Sequence, residues 1–174
     1  MTETTTGRRP RILVGTDGSP AARGALEFAI REARMRNATL MAIMAVDLPD
    51  YAWLDPYGTR THPGEDTLQR ARQELDRMLT AAGTADLDVD AVVTATPAPQ
   101  ALVDRSSDSD LLVVGSRGHG GFRGLVLGSV SMQCVLHAHC PVTVVRLEPK
   151  PQLDASTEHR TLEDTRRQTT APFI

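Results

Sequence analysis

The run Thr39-Leu40-Met41-Ala42-Ile43-Met44-Ala45-Val46 carries no charged side chain. A strand with one solvated face alternates apolar and polar residues. A strand that is apolar throughout belongs between two covering layers, as in a parallel sheet flanked by helices. The sequence on either side fits that arrangement. Upstream, Ala22, Ala25, Leu26, Ala29, Ile30 and Ala33 fall on one helical face. Ser19 and Pro20 suit the N-cap and first turn of that helix, and Asn37 suits a left-handed cap at its end. Before it, Arg11 to Thr16 is a short apolar run ending at the turn signal Asp17-Gly18, and it reads as another buried strand.

Downstream, Leu68, Ala71, Leu75, Met78, Leu79 and Ala82 mark a second amphipathic helix stopped by Gly83. Leu87 to Ala95 reads as a third strand. Thr96-Pro97 opens a short third helix with Ala101 and Leu102 inward. Asp110 to Gly115 reads as a fourth strand. Ser129 opens a fourth helix carrying Val130, Val135 and Leu136, and Pro141 to Arg146 reads as a fifth strand. The order βαβαβαβαβ predicts an α/β fold: a single three-layer domain over 11–146, with a five-stranded parallel sheet, right-handed crossovers and helices on both faces. Residues 1–10 and 147–174 are expected to be flexible. The latter mixes charges of both signs with Thr, Gln and Pro.

Bulk properties narrow the function. A length of 174 residues, 40% apolar and 24% charged, suits one globular domain. A net charge of -3 does not suggest a nucleic-acid partner. No apolar run approaches the roughly 18 residues of a membrane span. Met1 to Pro10 lacks the apolar centre of a secretory signal, so a cytoplasmic location is expected. Cys134 and Cys140 are not spaced as CxxC and read as small apolar side chains. His137, His139 and Cys140 lie close in sequence with no fourth ligand apparent, and histidine suits a helix C-terminus for dipole reasons.

The chemistry is expected in the glycine-rich stretch after the fourth strand. From Gly115 to Gly128, six positions are glycine. Glycine lets N–H groups turn toward one point and lets a phosphate approach without meeting a Cβ. The stretch ends at a helix N-terminus, where unpaired N–H groups and the helix dipole favour anions. Ser129 can donate its hydroxyl there, and Arg117 and Arg123 can add positive charge. Lys150 is the only lysine, so a Walker A loop is excluded, and Arg123 breaks the dinucleotide pattern G-x-G-x-x-G. In a doubly wound sheet the first and fourth strands can lie side by side. Asp17 and Gly115 would then border one crevice at the carboxyl ends of the strands, with Val46 beside them. Asp17 has a second reading as an ordinary turn residue. His119 reads as a phosphate contact or as an exposed loop histidine.

The pattern Gly115-x2-Gly118-x9-Gly128-Ser129 resembles the ATP-binding motif of the universal stress protein family. The resemblance extends to Ile12 through Ser19, to Asp110 through Gly118, and to Gly128 through Ser131 with Cys140 to Val142. It covers about Arg11 to Arg146. It implies sheet order 3-2-1-4-5, a homodimer through the fifth strand, and ATP or another adenine nucleotide as ligand, with Mg. It further implies nucleotide contacts from Asp17, Val46, Gly115, Gly118, Gly128, Ser129, Val130 and Ser131, with Asp17 at the metal; Thr16, Arg117 and His119 are expected beside them in the same site.

No nucleophile–base constellation is evident. The expected role is a nucleotide-dependent regulator in the stress response with an unidentified protein partner. Slow ATP hydrolysis, self-phosphorylation at Ser129 or Ser131, and a nucleotide-free interaction module are the alternatives. In the long segment 47–63, Tyr51, Trp53 and Tyr57 read equally as a cover for the base or as packing on their own loop or a partner subunit.

Overall fold

The computed structural model describes residues 8–46, 65–118 and 127–146. The first βα unit is β1 (Arg11–Gly15) and α1 (Pro20–Arg36). Ser19 caps α1 by accepting the Ala22 N–H at 3.3 Å, with Pro20 in the first turn. Asn37 ends it in the left-handed conformation, φ 50°. The chain continues through β2 (Thr39–Ala45), α2 (Glu65–Ala81), β3 (Val89–Thr94) and α3 (Ala98–Ser106). It ends with β4 (Leu111–Gly115), α4 (Ser129–His137) and β5 (Val142–Val145).

All strand pairs are parallel, and the sheet order is β3-β2-β1-β4-β5. The chain therefore reverses direction between β1 and β4. Alternate side chains along each strand enter opposite layers. Ile12, Val14, Leu40, Ala42 and Met44 pack under α1 and α2, while Leu13, Met41, Ile43, Leu112 and Val114 pack under α3 and α4. Because both faces are buried, these strands have no polar alternation. Each large aliphatic side chain contributes about 1.5–3 kcal/mol on full burial. Ala25, Ala29 and Ala33 are wholly buried, and their small size lets α1 lie close on the sheet.

Two details differ from the sequence reading. Ladder bonds reach one residue past the assigned strand ends: Thr16 N–H donates to Ile43 O at 2.9 Å, and Val46 N–H to Thr94 O at 2.8 Å. Thr16 and Val46 are thus the first residues beyond their strands. On α4, Val135 and Leu136 are exposed, and the inward face carries Ser131 and Cys134. The helix lies near the β5 border of the sheet and packs on α3 and β5, so its far side has nothing to cover it among the described residues. The 47–63 segment with Tyr51, Trp53 and Tyr57, and the 147–174 tail, lie outside the described residues.

Candidate functional site

The β1–α1 turn organises one wall of the crevice. Ser19 N–H donates to Asp17 Oδ1 at 2.9 Å, which fixes the carboxylate above the end of β1. Thr16 is buried, and its Oγ1 accepts from Gly18 N–H at 3.4 Å. Gly18 has φ +79°, a left-handed conformation that a side chain would strain.

The opposite wall is the end of β4. Gly118 lies so close to Asp17 that a Cβ there would overlap Asp17 Oδ2 and stand 3.5 Å from Asp17 Cγ. The sequence assigned both residues to one ligand site, and the fold brings them into direct contact. Gly115 needs its glycine for another reason. A Cβ there would meet the Ala21 carbonyl carbon and oxygen at 2.8 and 2.9 Å and Ala22 N at 2.9 Å. This position lets the first turn of α1 rest on β4.

The root of the glycine-rich stretch is closed by hydrogen bonds. Gly128 N–H donates to Ser116 O at 2.8 Å. The Ser131 hydroxyl lies 3.1 Å from Gly115 O and 3.2 Å from Ser116 O, both acceptors. Ser116 N–H donates to Val145 O at 2.7 Å, anchoring that root to β5. Ser116 had no signal in the sequence that marked it as part of the site.

Gly128 is the N-cap of α4 with no side-chain cap bond, and the first-turn N–H groups of Ser129 and Val130 have no partner among the described residues. Ser129 is exposed, Val130 half-buried and Ser131 buried. Arg117 is exposed beside Gly128, and Val46 is half-buried at the end of β2. A Cβ at Gly128 would make only ordinary contacts of 3.5 Å and longer with described atoms. His119 and Arg123 lie outside the described residues.

The surroundings of both cysteines disfavour the thiolate. Burial pushes the Cys134 thiol up to about 11. Burial and the neighbouring Asp110 carboxylate push Cys140 up. Among the described residues, no three His, Cys, Asp or Glu side chains converge as a metal cage. No helix among them is long and apolar enough to cross a membrane.

Residues 9–146 match the model of the universal stress protein family. The chain belongs to the universal stress protein family. A universal stress protein of Mycobacterium tuberculosis is 36% identical over 151 residues, covering 81% of this chain and 50% of that protein. The chain spans about half the length of the curated universal stress proteins it matches. Universal stress protein UspA from Lactobacillus plantarum superposes with a TM-score of 0.66 at 24% identity, covering 81% of this chain and all of that one, and so shares the fold. A universal stress protein solved in complex with cAMP superposes with a TM-score of 0.55 at 26% identity, covering 78% of this chain and 96% of that one.

Proposed function

We propose that this universal stress protein binds an adenine nucleotide, ATP in the first instance, in the crevice between the carboxyl ends of β1 and β4. The observation that carries the reading is the contact of Asp17 with Gly118 beside the uncapped N-terminus of α4. Glycine backbone, small side chains and N–H groups without a partner among the described residues meet there at the topological switch point, where α/β sheets take ligands. The related universal stress protein in complex with cAMP supports the adenine assignment.

In this reading Gly118, Gly128, Ser129 and Val130 offer backbone N–H groups to the phosphates, Arg117 adds charge, and His119 belongs to the same loop. Val46 and Thr16 border the adenosine. Gly115 and Ser131 shape the site from behind it. A phosphate chain beside the Asp17 carboxylate brings like charges together, which a divalent cation relieves. One carboxylate with phosphate oxygens and water suits Mg, and Asp17 is the residue that would hold it.

We assign the protein a regulatory role in the stress response, in the cytoplasm, with slow ATP turnover at most. Of the two serines considered for self-phosphorylation, Ser129 is exposed, whereas Ser131 is buried with its hydroxyl engaged. Pairing of two copies through β5 is favoured by its position at the sheet edge, since an open edge seeks a partner. Sedimentation at micromolar concentration should then give a dimer, and a monomer would count against it.

The nucleotide reading is tested by denaturing the purified protein, identifying any released nucleotide, and titrating the emptied protein with ATP and GTP. Release of an adenine nucleotide, or saturable binding of ATP in preference to GTP, is expected. Neither release nor binding would reject the reading.

A further inference from the structure

We propose that Ser131 is a positioning residue for the phosphate site, one that holds the two ends of the glycine-rich stretch together rather than touching the ligand. The proposal rests on the adenine-nucleotide reading and assigns a cause to part of its affinity. Ser131 is 2% exposed, in the first turn of α4. A hydroxyl has one proton to give, and this one lies against Gly115 O and Ser116 O at 3.1 and 3.2 Å. That proton is committed to the end of β4 and is not free for a phosphate oxygen.

Among the hydroxyls on the described helices, the range of this contact sets it apart. Thr80, Ser106, Ser107 and Ser109 send their hydroxyls to carbonyls three or four residues back in the same helical stretch, the usual habit of serine and threonine in helices. Ser131 reaches back across the whole glycine-rich excursion. Ser116 O also accepts the Gly128 N–H at 2.8 Å. The strand end and the helix start are therefore joined twice, by a backbone bond and by the Ser131 side chain.

The consequence is geometric. The N–H groups that start α4 and the backbone at Gly118 belong to different elements, separated in sequence by residues 119–126. Ser131 fixes their offset, so the anion seat exists before the ligand arrives. An alanine at 131 would remove the side-chain tie, leave the Gly128 N–H as the one bond to Ser116 O among the described residues, and let the helix start shift against the strand end. Phosphate recognition would suffer, and recognition of the adenosine moiety, bordered by Thr16 and Val46, would not.

The test is calorimetric titration of the full chain with ATP and with adenosine, for wild type and Ser131→Ala. We expect Ser131→Ala to bind ATP roughly fivefold more weakly, the net worth of one hydrogen bond, with adenosine affinity unchanged. Unchanged ATP affinity, or equal weakening for both ligands, would overturn the positioning role while leaving the nucleotide reading intact. A wild type that binds neither ligand would overturn the nucleotide reading itself, and Ser131's phosphate role with it. If Ser131→Ala does not fold, Ser131→Cys keeps the shape with a weak donor and is judged by the same split between ATP and adenosine.

Discussion

The two ends of the sheet are built from opposite materials. At the amino ends of the strands, long charged side chains close the edge. Arg8 donates to Asp108 O at 2.6 Å and pairs with Asp110, which also takes the Arg11 N–H at 2.7 Å. Arg9 bridges Asp88 and Asn37. Arg34 forks onto both oxygens of Asp86 at 2.9 and 2.7 Å and onto Gly83 O. At the carboxyl ends, Thr16, Asp17, Gly115, Ser116, Gly118, Gly128 and Ser131 meet through backbone atoms and short side chains. The first end matches its charges with one another. The second keeps side chains small, and the start of α4, whose first N–H groups have no partner among the described residues, opens onto it. Parallel strands put all their carboxyl ends together, so the chain can tie one rim shut and leave the other for a ligand.

The largest effect is expected at the carboxyl rim. In Gly115→Ala the new Cβ would press on the Ala21 and Ala22 backbone at 2.8–2.9 Å. Backbone cannot swing aside as a side chain can. A loss of about 1–3 kcal/mol is expected in urea unfolding, and an unchanged midpoint would mean that α1 does not rest on β4 as described. Gly128→Ala sharpens the contrast. Its Cβ meets nothing closer than 3.5 Å, so the unfolding midpoint should hold while ATP affinity falls on the order of tenfold through one obstructed contact to charged phosphate. Equal ATP affinity would remove Gly128 from the site.

A smaller, pH-dependent effect is expected from Cys134 on the inward face of α4. Its thiol is held at about 11 in the folded chain, above the ordinary value of about 8.5. The unfolded chain releases this proton first. Stability is therefore full below the ordinary thiol range and declines as pH rises toward 11. Unfolding curves for Cys134→Ala should show a flatter alkaline decline than wild type. The smallest effect belongs to the amino rim. The Arg34 guanidinium holds the Asp86 carboxyl below its usual range. Its contribution is present above the ordinary aspartate value and lost as pH falls through the lowered one. Both partners are exposed, so Arg34→Ala should lower the melting temperature only slightly, and added salt should shrink the difference.

Much of the fold was legible because its signals are local. The apolar run at 39–46, the Ser19-Pro20 helix start and the Asn37 cap each depend on neighbours a few residues away, and each appears as read. The face of α4 was not. Val135 and Leu136 look like core residues, but a short helix near the sheet border buries little, and its apolar pattern does not say which side is covered. At the proposed site the sequence marked residues without showing what each one packs against. Asp17 and Gly118 come into contact, as the side-by-side placement of the first and fourth strands led one to expect. Gly115 looked like a phosphate residue, whereas its glycine is required by the α1 backbone. Ser131 looked like a ligand contact, whereas its hydroxyl faces carbonyls fifteen and sixteen residues away. No local pattern encodes such a partner.

The central claim is that the carboxyl rim is a nucleotide site built on the meeting of Asp17 and Gly118. The most direct measurement is calorimetric titration of wild type and Gly118→Ala with ATP in the presence of Mg, with both proteins shown to be folded. Saturable binding to wild type, weakened on the order of tenfold or more in Gly118→Ala because the displaced carboxylate spoils the bound geometry, is the predicted result. Equal affinity in the two proteins, or no binding by wild type, would contradict it.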